Sequence, residues 1–189
     1  KRVAIVKFEK TKKLNDNINE VVKNIEKHYG GEKNEEALCL RFIEQTGARA
    51  DTGRNVGSVK TYGASSLENR HIKIDEDGSV TIEFVGKHGK PNSYKVVEPV
   101  LVKMFKERAE RPDKEQKVFD TTYGKLKAFS AEVAGVTPKV FRTRVGTNIA
   151  KDAVNKLSPP PPKTEKEFLK YVLAVAEKTS QQLCNTRKV

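Results

Sequence analysis

Apolar positions along the 189-residue chain follow two periods, and these predict where helices and strands lie. Ile18, Val21, Val22 and Ile25 recur at helical spacing between about Asn15 and Tyr29, and Gly30-Gly31 ends the run. A second helix, from about Asn34 to Gln45, carries Ala37, Leu38, Leu40, Phe42 and Ile43 and stops at Thr46-Gly47. Residues 50–70 are polar and glycine-rich, a loop leading to a short strand. Alternation then appears in Ser79-Val-Thr-Ile-Glu-Phe-Val85 and in Ser93-Tyr-Lys-Val-Val97. These two segments predict a β-hairpin with a long basic tip, Gly86-Lys-His-Gly-Lys-Pro-Asn92.

Beyond Pro99 the period is helical again, from about Val100 to Glu110. Thr121 or Thr122 can cap a helix running to Ala134, and Pro138 suits the first turn of another from about Lys139 to Lys156. Ser158 and the four prolines 159–162 cannot continue that helix and predict a stiff extended spacer. Lys163 to about Leu183 forms a last helix with Phe168, Val172, Val175 and Ala176 on one face. The expected fold is α+β, mainly α-helical, with one small antiparallel sheet. Residues 1–157 form its core, 158–163 the proline-rich spacer and 164–189 the C-terminal helix, with no internal repeat.

Composition narrows the class. A hydrophobic fraction of 36% with 33% charged residues describes a water-soluble globular protein. The longest apolar run, Tyr171 to Ala176, is far short of the roughly 20 residues a membrane span needs. Lys1-Arg2 opens into mixed polar sequence rather than the apolar stretch of a signal peptide. Cys39 and Cys184 match no zinc or disulfide spacing and read as reduced thiols. These features predict an intracellular protein with no membrane contact and no cysteine-based metal site.

Charge changes the picture further. The chain has 37 Lys and Arg against 25 Asp and Glu, a net +12. Residues 31–116 carry 15 of each sign, whereas basic residues lead by 8 to 4 over 1–30, 8 to 3 over 117–156 and 6 to 3 over 163–189. A polyanion touching both ends is the natural partner, and nucleic acid is the commonest one. A merely solubilising surface is the alternative.

Three basic features stand out: Arg49 just after a helix end, Lys87 at the hairpin tip, and Lys139-Val-Phe-Arg-Thr143, where Lys139 and Arg142 lie three apart on one helix face. Singly, each reads as a solvated surface cation. Together with Tyr62-Gly-Ala-Ser-Ser-Leu-Glu-Asn-Arg-His-Ile72, Ile82-Glu-Phe-Val-Gly-Lys87, Thr137-Pro-Lys-Val-Phe-Arg-Thr143, Val175-Ala-Glu-Lys and Leu183-Cys-Asn-Thr186, they form an ordered set. From about Ala37 onward this set resembles the catalytic domain of type IB DNA topoisomerases, in particular the small branch found in poxviruses and bacteria.

The resemblance implies roles. Arg49 falls at the first catalytic arginine; Ala-Asp follows it where the family usually has a glycine two positions on, so Arg54 is the alternative. Lys87 matches the hairpin lysine that acts as general acid, and Arg142 the second catalytic arginine. Asn185 falls where the family places a His or Asn that hydrogen-bonds the phosphate. Lys139, which matches a lysine near the active site, joins His88 and Arg70 as expected DNA contacts, whereas His71 is expected to pack or cap ahead of the strand. The partner implied is duplex DNA, bound by a monomer without nucleotide or other cofactor, in a bacterial cytoplasm or nucleoid or a viral particle. The glycines around 53–63 are followed by no Gly-Lys-Ser/Thr, so no nucleotide site is expected.

These groups suit the chemistry of strand cleavage by an attacking tyrosine oxygen. Two guanidinium forks can grip the non-bridging phosphate oxygens in the role a metal ion fills elsewhere, so the expected site needs no metal. An ammonium on the hairpin can protonate the departing 5′ oxygen. The 3′-phosphotyrosyl link keeps the phosphodiester energy, so religation needs no ATP and supercoils relax between the two steps. The family's tyrosine follows the Asn185 position, yet Tyr29, Tyr62, Tyr94, Tyr123 and Tyr171 all precede it, and Tyr171 reads as core. The expectation is a catalytic-domain fragment, its nucleophile beyond Val189 and the family's preceding β-rich domain absent, that binds DNA without cutting it. A tyrosine recombinase or integrase is the nearest rival, but that family has His-x-x-Arg where this chain has Lys139-Val-Phe-Arg142, and then a His in the helix that follows. A non-catalytic DNA-binding module is the other.

Overall fold

The computed structural model describes residues 2–51, 55, 57–157 and 162–185. Seven helices and three strands appear among them: α1 (Arg2–Asp16), α2 (Ile18–Glu26), α3 (Asn34–Thr46), β1 (Ile72–Ile74), β2 (Val80–Gly86), β3 (Lys90–Val96), α4 (Pro99–Ala109), α5 (Tyr123–Ala134), α6 (Pro138–Leu157) and α7 (Glu165–Gln182). The strands form one antiparallel sheet in the order β1-β2-β3. This is the mainly helical α+β architecture expected from the sequence. No helix among the described residues is long and apolar enough to cross a membrane.

Two boundaries differ from the sequence pattern. The helix expected from Asn15 to Tyr29 is α2, shorter at both ends, and an unpredicted helix, α1, precedes it; the two part at Asn17, which leaves helical geometry (φ −110, ψ 14) while its side chain donates to the Lys13 carbonyl at 2.9 Å. Asparagine competes for backbone partners in this way and breaks helices. Helix α1 itself carries no clear apolar stripe: Leu14 is buried but Ile5, Val6 and Phe8 are exposed. Polar contacts help fasten it to α6, with Arg144 Nε donating to Asn15 Oδ1 at 3.1 Å.

The hairpin is also tighter than its alternation suggests. Pairing continues from Val80↔Val96 to Gly86↔Lys90, leaving Lys87, His88 and Gly89 as the tip. His88 and Gly89 both take positive φ (64 and 69), which closes the turn in three residues. Pro91 is tolerated because β3 is an edge strand with a free N–H side. Lys90, Pro91 and Asn92 therefore belong to β3 rather than to a loop.

The core lies between the sheet and α3, α4 and α5. Along β2 the burial alternates, with Val80, Ile82 and Phe84 inward. Phe42 of α3 sits at the centre, its ring 5.5 Å from Phe105, 6.2 Å from Phe119 and 6.2 Å from Tyr94. Arg108 of α4, itself buried, reaches Glu35 with both forks, at 2.9 and 2.6 Å, and joins α4 to α3. Thr122 caps α5 and Thr164 caps α7, each accepting from the N–H three residues on. The spacer prolines 159–161 and Ser158 lie outside the described residues. Helix α7 returns along α6, but its apolar face is only partly covered and Phe168 is exposed.

Candidate active-site cleft

Helix α3 ends at Gly47 in the left-handed region (φ 69, ψ 18), with its N–H bound to the Ile43 carbonyl at 2.8 Å. The chain then turns so that Arg49, half-buried, faces a cleft. Residues 62–65 hold this segment in place. Ala64 N–H donates to the Arg49 carbonyl at 2.7 Å, and Ser65 N–H and Oγ donate to the Ala50 carbonyl at 3.0 and 2.9 Å. A side chain at Gly63 would put its Cβ 2.9 Å from the Arg49 oxygen, so only glycine permits the approach. Tyr62 N–H donates to the Val85 carbonyl at 2.8 Å, joining the same segment to the hairpin.

Arg142 enters from the second turn of α6. It is 8% exposed, and it donates to the Gly47 carbonyl and, at 2.9 Å, to the Leu183 carbonyl. A buried guanidinium held by two backbone oxygens is a fixed positive charge rather than a surface cation. Leu183 wedges between two glycines: a Cβ at Gly47 or Gly146 would stand 2.9 Å from its methyl groups. That close packing brings Asn185 over the cleft, where its Oδ1 accepts from Arg49 Nη2 at 2.7 Å. Burial, and then the charge of Arg142, lower the pKa of Arg49.

The cleft occupies about 730 Å³ and is lined by Arg49, Lys87, Lys139, Arg142 and Asn185, together with Tyr123 and Asp51. Five of the sequence-predicted site residues, from four separate segments, thus meet in one place. Two do not. His88 turns the hairpin tip outside the lining, and Arg70 sits on the flank of the sheet, 2.6 Å from Glu68 and 2.7 Å from the Tyr62 hydroxyl. Arg54, the alternative to Arg49, lies outside the described residues. His71 packs its ring 4.4 Å from that of Tyr62 and accepts the Glu68 N–H on Nδ1 at 3.0 Å; burial lowers its pKa to about 4.

Sequence reasoning passed over Tyr123, which alone of the five tyrosines lines the cleft. Its position at the start of α5, next to the capping Thr122, is legible only once that helix is placed. It also passed over Gly146, and over the close approaches that require glycine at positions 47 and 63. No group of three or more His, Cys, Asp or Glu able to hold a metal ion occurs among the described residues.

Comparison with known proteins gives this cleft a family. Residues 3–189 match the family described as eukaryotic DNA topoisomerase I, catalytic core. The chain is also similar to DNA topoisomerase 1 of Schizosaccharomyces pombe, 28% identical over 144 residues; the match covers 72% of this chain and 18% of that protein's length. A match across nearly the whole chain, over a fold that gathers the predicted cations, leads to one conclusion: the chain belongs to the DNA topoisomerase I catalytic-core family, type IB.

Proposed function

We propose that this chain is part of the catalytic core of a type IB topoisomerase that relaxes supercoiled duplex DNA through a 3′-phosphotyrosyl intermediate. The observation that carries the reading is the convergence of Arg49, Lys87, Arg142 and Asn185 on one cleft. The two guanidiniums grip the non-bridging oxygens as negative charge builds on them, and they need no reorganisation because Arg142 is already held by backbone carbonyls. Asn185, hydrogen-bonded to Arg49, adds a neutral donor. A tyrosine oxygen forms its bond to phosphorus, releasing its phenolic proton to solvent, as the bond to O5′ breaks. The ammonium of Lys87 protonates that oxygen, leaving a 5′-hydroxyl and a neutral amine. Religation runs the same steps backwards.

Lys139 lies beside the clamp and contacts the flanking backbone; His88 and Arg70 extend the basic surface along the hairpin. The narrower poxvirus and bacterial branch rests on motif spelling, whereas the matched family carries the eukaryotic description.

The nucleophile in this reading is a tyrosine that these 189 residues do not supply. Tyr62 and Tyr94 are buried and hydrogen-bonded, and the Tyr171 hydroxyl faces the Val154 carbonyl at 3.4 Å. A second reading comes from Tyr123, which lines the cleft and is exposed enough to reach a phosphate. A nicking assay with the 189-residue chain separates the two. The first reading predicts DNA binding without cleavage. Robust cleavage that Tyr123→Phe abolishes would establish Tyr123 instead.

A further inference from the structure

Asn92 falls within the tip that alternation predicts, yet it is a buried strand residue whose amide is bonded at both ends. The Tyr94 hydroxyl donates to Asn92 Oδ1 at 3.0 Å, and Asn92 Nδ2 donates to the Lys90 carbonyl at 2.8 Å. The same amide lies against Gly86, where a Cβ would stand 2.2 Å from Asn92 Nδ2 and 3.0 Å from its Cγ. An amide pinned at both ends has no spare rotamer with which to yield that space. It therefore holds down the residue immediately before Lys87.

Tyr94 anchors the other end. Its ring is 5% exposed and stands edge-on to Phe42 at 6.2 Å, and Cys184, next to Asn185, reaches the neighbouring Ser93 carbonyl at 3.9 Å. Arg142 in turn holds the Leu183 carbonyl, next to Cys184, at 2.9 Å. One line of contacts thus runs from Arg142 through Leu183, Cys184 and β3 to the backbone that carries Lys87, with the Tyr94–Asn92 bond as its buried part. The tip itself is three residues long, two of them at positive φ, and makes little of its own support.

We propose that Asn92 and Tyr94 are positioning residues for Lys87: their buried brace sets the hairpin tip at a fixed offset from Arg142, so that the Lys87 ammonium meets the O5′ of the phosphate Arg142 grips. This rests on the reading of Lys87 as general acid. The step it governs is the transfer of one Lys87 proton to O5′ as that oxygen takes the electron pair of the breaking phosphorus bond.

The test uses the full-length protein carrying this sequence and two matched duplexes in single-turnover cleavage. One duplex has the natural O5′ at the scissile phosphate and the other a bridging sulfur, which leaves as a thiolate with a conjugate-acid pKa of about 8.5 and needs no proton. Lys87→Ala should be slowed about a hundredfold on the oxygen substrate and restored on sulfur. Asn92→Ala and Tyr94→Phe should each lose about tenfold on oxygen and lie within about threefold of wild type on sulfur. Equal losses on both substrates would place the pair in the clamp or the general fold and overturn the brace, and so would no loss on either. Tyr94→Phe keeps the ring packing, so it carries the test alone if Asn92→Ala does not fold. A wild type that cleaves neither duplex, or a Lys87→Ala variant that sulfur does not restore, overturns the reading of Lys87 and the brace with it.

Discussion

Arg142 and Lys139 sit three residues apart and look alike in the sequence, but they end in different environments. Lys139 is exposed on the cleft wall, whereas Arg142 is buried beneath Leu183, with two of its five donors held by carbonyls and the rest left for a ligand. The difference comes from the segment around residue 183, which closes over α6 at Gly146 and is distant in sequence; local pattern cannot foresee it. The same closure makes Gly47 sensitive. Gly47→Ala meets both a positive φ and a contact at 2.9 Å, and should cost about 1–3 kcal/mol in thermal or denaturant unfolding. At Asn185 the account distinguishes two substitutions. Asn185→Ala removes one neutral hydrogen bond and should slow single-turnover cleavage about tenfold. Asn185→Asp sets a carboxylate against Arg49 and against the phosphate, and should be slower still.

At the scale of elements, α2, α3, α4 and α7 were legible from apolar residues at helical spacing, α5 and α6 from a capping threonine and a first-turn proline, and the hairpin from its alternation. Helix α1 was not, because it is fastened partly by polar contacts such as Arg144 to Asn15 rather than by a stripe. The hairpin tip is shorter than the pattern predicts because Lys90, Pro91 and Asn92 carry no apolar alternation yet still pair with Gly86, Val85 and Phe84. Between elements, the Arg108–Glu35 pair makes a pH prediction. Burial raises the Glu35 carboxyl, but the hydrogen bonds and charge of Arg108 and the Asp120 N–H outweigh it and hold it below its ordinary value of 4.5. A depressed carboxyl stabilises the fold fully above its unfolded pKa and loses that contribution as pH falls through the folded one. Unfolding free energy should therefore drop below about pH 4.5, and Glu35→Gln should flatten that drop while costing about 3 kcal/mol at neutral pH.

For the whole molecule, the net charge of +12 divides into a few cations held in the cleft and a larger number spread over both ends of the chain. The spread charge predicts that DNA affinity falls steeply and linearly on a log–log plot against salt, with little dependence on sequence. Lys139→Ala should reduce that slope by about one contact while leaving the melting temperature unchanged. The meeting of Arg49, Lys87, Arg142 and Asn185 was legible only through the family resemblance, since nothing in their spacing dictates that α3, the hairpin, α6 and the last segment should converge. The most direct measurement is the rate of covalent protein–DNA adduct formation on a nicked-strand trapping substrate, comparing the full-length protein with its Arg142→Ala variant. The account predicts a phosphotyrosyl adduct on the 3′ side, formed about 10²–10³ times more slowly by the variant at nearly unchanged DNA affinity. An adduct that forms equally fast without Arg142, or a protein that binds DNA and never forms one, would contradict it.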